Sequence, residues 1–153
     1  MNKKAFTLIE LLIVISIIAI LLNTAILYGP KFMRTYKYKE DVFQTEMAIK
    51  NAKLKALERS INVAVCTNGK TLTVVNRGRD RSVCSCDGAV LYTVNLSSYS
   101  NYSGADCRFM FDPRGLAVFG GSVCLSNTEV YTKFTVQAGA GRILVERGSG
   151  QCN

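Results

Sequence analysis

The sequence predicts an α+β protein in which one long N-terminal helix packs against antiparallel β-sheet. Three observations predict it. An almost unbroken apolar run extends from Phe6 to Tyr28. A second stretch, Lys39 to Ile61, repeats its apolar residues at helical spacing. After Ile61 the apolar residues come in short β-branched or aromatic runs separated by turn formers, and strands that all follow a helix favour segregated layers.

The first element, residues 6–28, would measure ~34 Å as a helix, against a bilayer core of roughly 30 Å. Lys3 and Lys4 before it resemble the basic start of a secretory signal. The apolar run, however, exceeds the roughly 7–15 residues of a signal peptide, and no small-x-small site closes it. A retained membrane anchor is the expectation. Inside it stands Glu10, a carboxylate that costs several kcal/mol if buried unpaired in lipid. Gly29-Pro30 is where the helix is expected to bend or break.

The second element, residues 29–60, continues as an amphipathic helix. Phe43, Met47, Leu54, Leu57 and Ile61 form a stripe joined by Val42 and Ile49 and interrupted by Lys50. This stripe is expected to face the sheet. Ala48, Ala52 and Ala56 support the helix through their propensity. Residues 61–153 form a β-rich head with runs at Ile61–Val65, Leu72–Val75, Ala89–Val94, Arg108–Phe111, Leu116–Val118, Val130–Val136 and Ile143–Val145. Asn68-Gly69 is a hairpin signal. Asp87-Gly88, Pro113-Arg114-Gly115 and Gly120-Gly121 are the other expected turns.

The composition narrows the chemistry. The 153 residues carry 19 basic and 11 acidic side chains, a net charge of +8, and no histidine. The balance weakly favours anionic partners. Lack of histidine removes the usual general base and the commonest metal ligand. Asp80, Asp87, Asp106, Asp112 and Glu129 show no spacing that favours a catalytic pair, so neither enzymatic activity nor a cofactor is expected.

Six cysteines, Cys66, Cys84, Cys86, Cys107, Cys124 and Cys152, suggest an oxidising compartment and up to three disulfides. Fifteen connectivities are open. Cys84 and Cys86 share a face if that segment is extended and would then take different partners. The Cys84-x-Cys86 spacing is too tight for an ordinary zinc site, and no metal is expected.

The run Lys3-Lys4-Ala5-Phe6-Thr7-Leu8-Ile9-Glu10-Leu11-Leu12-Ile13-Val14-Ile15 strongly resembles the N-terminal signature of type IV pilins and type II secretion pseudopilins. The resemblance implies a pilin-like fold and a leader, residues 1–5, cut by a prepilin peptidase between Ala5 and Phe6. The new amine would be methylated and the anchor retained. The family usually has glycine where this chain has Ala5. The resemblance further implies that the helix leaves the inner membrane to form a filament core with other pilins. Glu10 would there pair with a neighbouring N-terminal amine. Lys31, Arg34, Lys37 and Lys39 follow the anchor, so the positive-inside rule alone does not set a cytoplasmic N-terminus.

Phe111-Asp112-Pro113-Arg114-Gly115 and Gly141-Arg142-Ile143 look like the minor-pilin branch represented by the GspH/FimT domain. Some DNA-uptake members have a Gly-Arg-x-Arg element, whereas this chain has Leu144 in place of the second arginine. The implied function is a structural minor pilin or pseudopilin of a pilus or secretion pseudopilus, in the periplasm or at the cell surface. A DNA-binding subunit using Arg142, Arg147, Arg77, Arg79 and Arg81 is the alternative. Against it, three arginines in one turn-like stretch are ordinarily a solvated surface.

Overall fold

A computed structural model describes residues 7–104 and 106–152. The chain divides into two compact units, Met1–Tyr36 and Lys37–Asn153. A single helix, α1 (Leu8–Arg59), supplies the described core of the first unit and enters the second.

Helix α1 begins at Thr7-Leu8-Ile9-Glu10, the sequence pattern of a capping box. The backbone N–H of Glu10 faces both the carbonyl of Thr7 (3.1 Å) and its Oγ1 (3.4 Å). Threonine at the cap with glutamate three residues later is the pairing that satisfies free N–H groups at a helix start. Helix continues through Pro30, where the sequence suggested a bend or break. Proline removes a single N–H from the ladder, a cost of ~3 kcal/mol that a long helix can absorb. The helix ends at Ser60, whose φ of 52° is left-handed, and Ile61 N–H returns to the Ala56 carbonyl at 3.2 Å. That closure is a Schellman motif built on serine rather than glycine.

Among the described residues nine strands follow: β1 (Asn62–Asn68), β2 (Thr71–Gly78), β3 (Ala89–Asn95), β4 (Asn101–Tyr102), β5 (Asp106–Phe111), β6 (Ala117–Phe119), β7 (Gly121–Ser126), β8 (Val130–Val136) and β9 (Ile143–Ser149). They form two antiparallel sheets ordered β3-β2-β1-β5-β6 and β4-β7-β8-β9. Strands β4 and β7 were not among the seven apolar runs. The first is two residues long, and the second reads Gly-Ser-Val-Cys-Leu-Ser, too polar at its ends to stand out. Gly120-Gly121 is less a turn than a place of close approach. A Cβ on Gly121 would lie 1.9 Å from the Arg108 carbonyl oxygen, and one on Gly120 would lie 2.6 Å from Ala138 N.

The helix face that meets the sheets is the main correction to the sequence reading. Phe43, Met47, Leu54 and Leu57 are 63, 39, 58 and 43 % exposed. Buried instead are Tyr38, Val42, Thr45, Ala48, Ile49, Ala52 and Ala56, which pack on Val63, Val65, Leu72, Phe109, Phe111 and Phe134. At 100° per residue the two sets occupy opposite sides of the helix. Small residues win the inner face because the aromatic sheet surface supplies the bulk, and close packing rewards complementary volume rather than hydrophobicity alone. Val42 and Ile49, read as accessory members of the stripe, belong to the buried side.

Candidate functional site: the exposed apolar helix and the head surface

The described apolar segment, Leu8–Ile26, is 19 residues long, and none of it is buried within the chain. Its polar side chains are satisfied by the helix itself. Ser16 Oγ donates to the Leu12 carbonyl, Asn23 Nδ2 to Ala19 and Thr24 Oγ1 to Leu21, each at 2.8 Å. Such back-bonding removes the penalty of unpaired donors in an apolar medium. Glu10 is the one charged side chain from Leu8 to Ile26. Its position three residues past the Thr7 cap places the carboxylate near the positive end of the helix dipole. Ala5 and Phe6, the expected cleavage pair, lie outside the described residues.

Later in the sequence, three disulfides among the described residues hold the head: Cys66–Cys86, Cys84–Cys107 and Cys124–Cys152. Cys66 and Cys107 are directly opposed in the β1–β5 ladder. The chain between β2 and β3 is therefore stapled twice, by Cys84 and Cys86, across the outer face of the five-stranded sheet. There it helps cover a second cluster of Ala64, Val75 and Met110. The Cys124–Cys152 bridge fixes the C-terminal tail to β7. Among the described residues no group of acidic or cysteine side chains is placed to hold a metal ion.

The five arginines singled out in the sequence fall into two groups on different sheets. Arg77, at the end of β2, is committed within the chain: it donates to the Asp87 carbonyl and pairs with Asp80 at 2.6 Å. Arg79 and Arg81 are exposed in the segment that follows. Arg142 is exposed in the β8–β9 connection, after Gly141, whose carbonyl accepts from Lys53 Nζ at 3.0 Å. Arg147 is exposed on edge strand β9 opposite Thr132, a residue facing the helix. Leu144, where the second arginine of a Gly-Arg-x-Arg element would stand, is paired with Thr135 and takes the other face.

A polar seam joining helix to sheets was not foreseen. Tyr38 Oη lies 2.9 Å from Thr132 Oγ1, and Thr45 Oγ1 lies 2.8 Å from Tyr102 Oη. Asp41 accepts from Ser97 N–H at 3.1 Å and Oγ at 2.6 Å. Burial raises the Tyr38 phenol above its ordinary pKa, against lowering by the Thr132 hydrogen bond and the charge of Arg147. Burial likewise pushes Tyr102 up to about 12. The available signal was polar residues at positions 38, 41 and 45, spaced three and four apart on one helical face.

Residues 1–22 match the family model described as the prokaryotic N-terminal methylation motif. The crystal structure of the type IV minor pilin FimU of Pseudomonas aeruginosa is similar to this chain, with a TM-score of 0.57 at 13% identity, covering 78% of this chain and 97% of that one. At that identity the likeness is one of fold. No curated protein matches the chain significantly. The family model thus covers the start of the chain, and the long helix followed by antiparallel sheets is the fold shared with that structure.

Proposed function

We propose that this chain is a structural minor pilin, exported on its apolar helix and built into a type IV pilus by that helix. The observation that carries the reading is the methylation motif at residues 1–22 leading into a helix surface that the chain's own fold leaves wholly uncovered. So large an apolar surface requires another apolar environment. Lipid supplies it before assembly and neighbouring helices supply it afterwards. The similarity of fold to a protein described as a type IV minor pilin favours the pilus over a secretion pseudopilus.

In this mechanism a prepilin peptidase cuts between Ala5 and Phe6 and the new N-terminal amine is methylated. Phe6 becomes the first mature residue and Glu10 the fifth. Near the membrane surface Glu10 keeps contact with the headgroup region. Within a helix bundle its charge needs a cation, and the amine of a neighbouring subunit supplies one. Cleavage thus creates the partner that assembly requires.

The test compares Glu10→Gln with Glu10→Ala in cells that assemble filaments. Glutamine at this position keeps the capping box and removes the charge. If charge pairing drives assembly, both variants fold and reach the membrane, yet both are lost from filaments. Normal incorporation of Glu10→Gln would reject the pairing. Mass spectrometry of the mature N-terminus reads the cleavage step: an intact leader would reject processing at Ala5-Phe6.

A further inference from the structure

We propose that the head reaches its disulfide pairing by rearrangement, and that its partner in this step is a thiol-disulfide isomerase. The inference rests on export of the head to an oxidising compartment, as proposed above, and not on entry into a filament. In chain order the four cysteines of the five-stranded sheet are Cys66, Cys84, Cys86 and Cys107. Their bridges interlace, the first cysteine joining the third and the second the fourth. Four cysteines allow three pairings. One of them sets a Cys84–Cys86 bridge around a single residue, with Cys66 joined to Cys107 across the ladder. The competing set with open loops is Cys66–Cys84 with Cys86–Cys107. Each of its closures is two residues shorter than its native counterpart, the native separations being 20 and 23. Closure entropy grows only with the logarithm of loop length, so oxidation of the unfolded chain makes the two sets in comparable amounts. Synthesis from the N-terminus also brings Cys84 to Cys66 before Cys86 arrives.

The folded head selects between the two sets by register. Because Cys84 and Cys86 are two residues apart over the opposed Cys66 and Cys107, moving their segment by two residues exchanges the sets. Arg77 fixes the register: it donates to the Asp87 carbonyl and pairs with Asp80 at 2.6 Å. Asp80 in turn accepts from Ser82 N–H at 3.0 Å and Oγ at 2.7 Å, and Ser85 Oγ donates to the Asp87 carboxylate at 2.6 Å. These contacts bracket both cysteines and are made together only in the native pairing. A wrongly paired head cannot reach it alone, because with every cysteine bridged no thiolate remains to begin the exchange. An outside thiolate must enter, and in the native head Cys86 is exposed whereas Cys66 is buried and Cys84 and Cys107 are half-buried. The isomerase thiolate attacks Cys86 Sγ of Cys86–Cys107, forming a mixed disulfide and releasing the Cys107 thiolate. Cys107 attacks Cys84, forming Cys84–Cys107 and releasing the Cys66 thiolate. Cys66 attacks Cys86, forming Cys66–Cys86 and returning the isomerase thiolate. Each step breaks one S–S bond and makes another, so no oxidant or reductant is consumed.

The test reoxidises the full-length chain, reduced and unfolded in detergent, with diamide alone or with diamide followed by a Cys-x-x-Cys isomerase in glutathione buffer. Tandem mass spectrometry that breaks the chain at Ser85 assigns the bridges. Cys124–Cys152, which interlaces with neither of the other bridges, is the internal reference. Diamide alone should give the native and competing sets within about threefold of each other. The isomerase should raise the native set to about tenfold or more over the other, in keeping with the charge-assisted hydrogen bonds of Arg77. It should do so faster than the buffer by itself, and an isomerase lacking its second cysteine should be trapped on Cys86. Arg77→Ala should reduce the final preference to a few-fold and leave Cys124–Cys152 formed; an unchanged preference would remove Arg77 from the selection. Native bridges from diamide alone, or a mixture that the isomerase does not shift, would overturn the inference. Neither result depends on assembly, so loss of the filament role would leave the inference standing.

Discussion

The reversal of the helix face can be tested by a pair of substitutions for which the two orientations predict opposite outcomes. Ala52 is 0 % exposed against the sheets, whereas Leu54, two residues on, is 58 % exposed. Replacing Ala52 by leucine inserts three carbon atoms at a fully buried position in the cluster that also holds Val65, Phe109, Phe111 and Phe134. Overpacking of this kind costs about 1–3 kcal/mol, and more where no neighbour can yield. Replacing Leu54 by alanine removes a side chain that is mostly in water. A fully buried leucine would cost about 2–5 kcal/mol on truncation. With more than half the residue exposed, and alanine the better helix former, the expected cost is below ~1 kcal/mol. For a domain of about 100 residues each kcal/mol moves Tm by roughly 4–8 °C. Thermal melts of the detergent-solubilised chain, disulfides intact, should show Ala52→Leu lower by about 10 °C and Leu54→Ala nearly unchanged. The opposite ranking would show that the large apolar stripe faces the sheets.

Three further outcomes follow from local chemistry. Removing the Cys124–Cys152 bridge by a double alanine substitution frees a closure of 28 residues, for which the chain-entropy estimate is ~3.6 kcal/mol. Denaturant midpoints should fall accordingly, and a change under ~1 kcal/mol would mean that the tail is held by other contacts. Ser60→Gly places the residue suited to positive φ at the helix terminus, where φ is 52°. It should stabilise the head by up to ~1 kcal/mol in the same assay, and destabilisation would argue against the left-handed closure. Tyr102, pushed up to about 12 by burial, favours folding in its neutral form. That stabilisation is complete below the ordinary tyrosine pKa of ~10 and is lost as pH rises through the folded value. Tyr102→Phe should flatten the decline in stability over that alkaline window, and an unchanged slope would assign the decline to other groups.

The α+β class, the long helix and the strand-rich head were legible because each rests on a strong period or a strong punctuation. Asn68-Gly69 marks a real hairpin, with Gly69 at a φ of 57° and Asn68 paired with Thr71. What was not legible depends on partners distant in sequence. Ala48, Ala52 and Ala56 looked like neutral helix formers, yet they are the inner face because large sheet residues fill the volume between layers. Gly120-Gly121 looked like a turn because its real constraint, the Arg108 carbonyl oxygen, belongs to another strand. Cysteine pairing was open among fifteen schemes, and strand order resolves it by setting Cys66 beside Cys107 beneath the segment that bears Cys84 and Cys86. Of the arginines offered for the DNA-binding alternative, the fold assigns Arg77 to an ion pair with Asp80, and it places Arg147 on β9 and Arg142 in the connection before it, with the other sheet.

The N-terminal segment can be read further once its hydrogen bonds are counted. Ser16, Asn23 and Thr24 each return their side-chain donor to the helix, so in lipid or in a bundle they ask nothing of their surroundings. Glu10 differs in kind. Its backbone N–H is satisfied by Thr7, but the carboxylate retains a charge that no hydrogen bond to its own helix can neutralise. The capping box would account for a glutamate or a glutamine equally well, so capping alone does not require an ion at the edge of an apolar segment. A charge placed there is tolerated near headgroups and penalised inside a bundle unless a cation meets it. Under the proposed function, such a residue would couple the chain's transfer out of lipid to the presence of a processed neighbour, a dependence that glutamine could not impose.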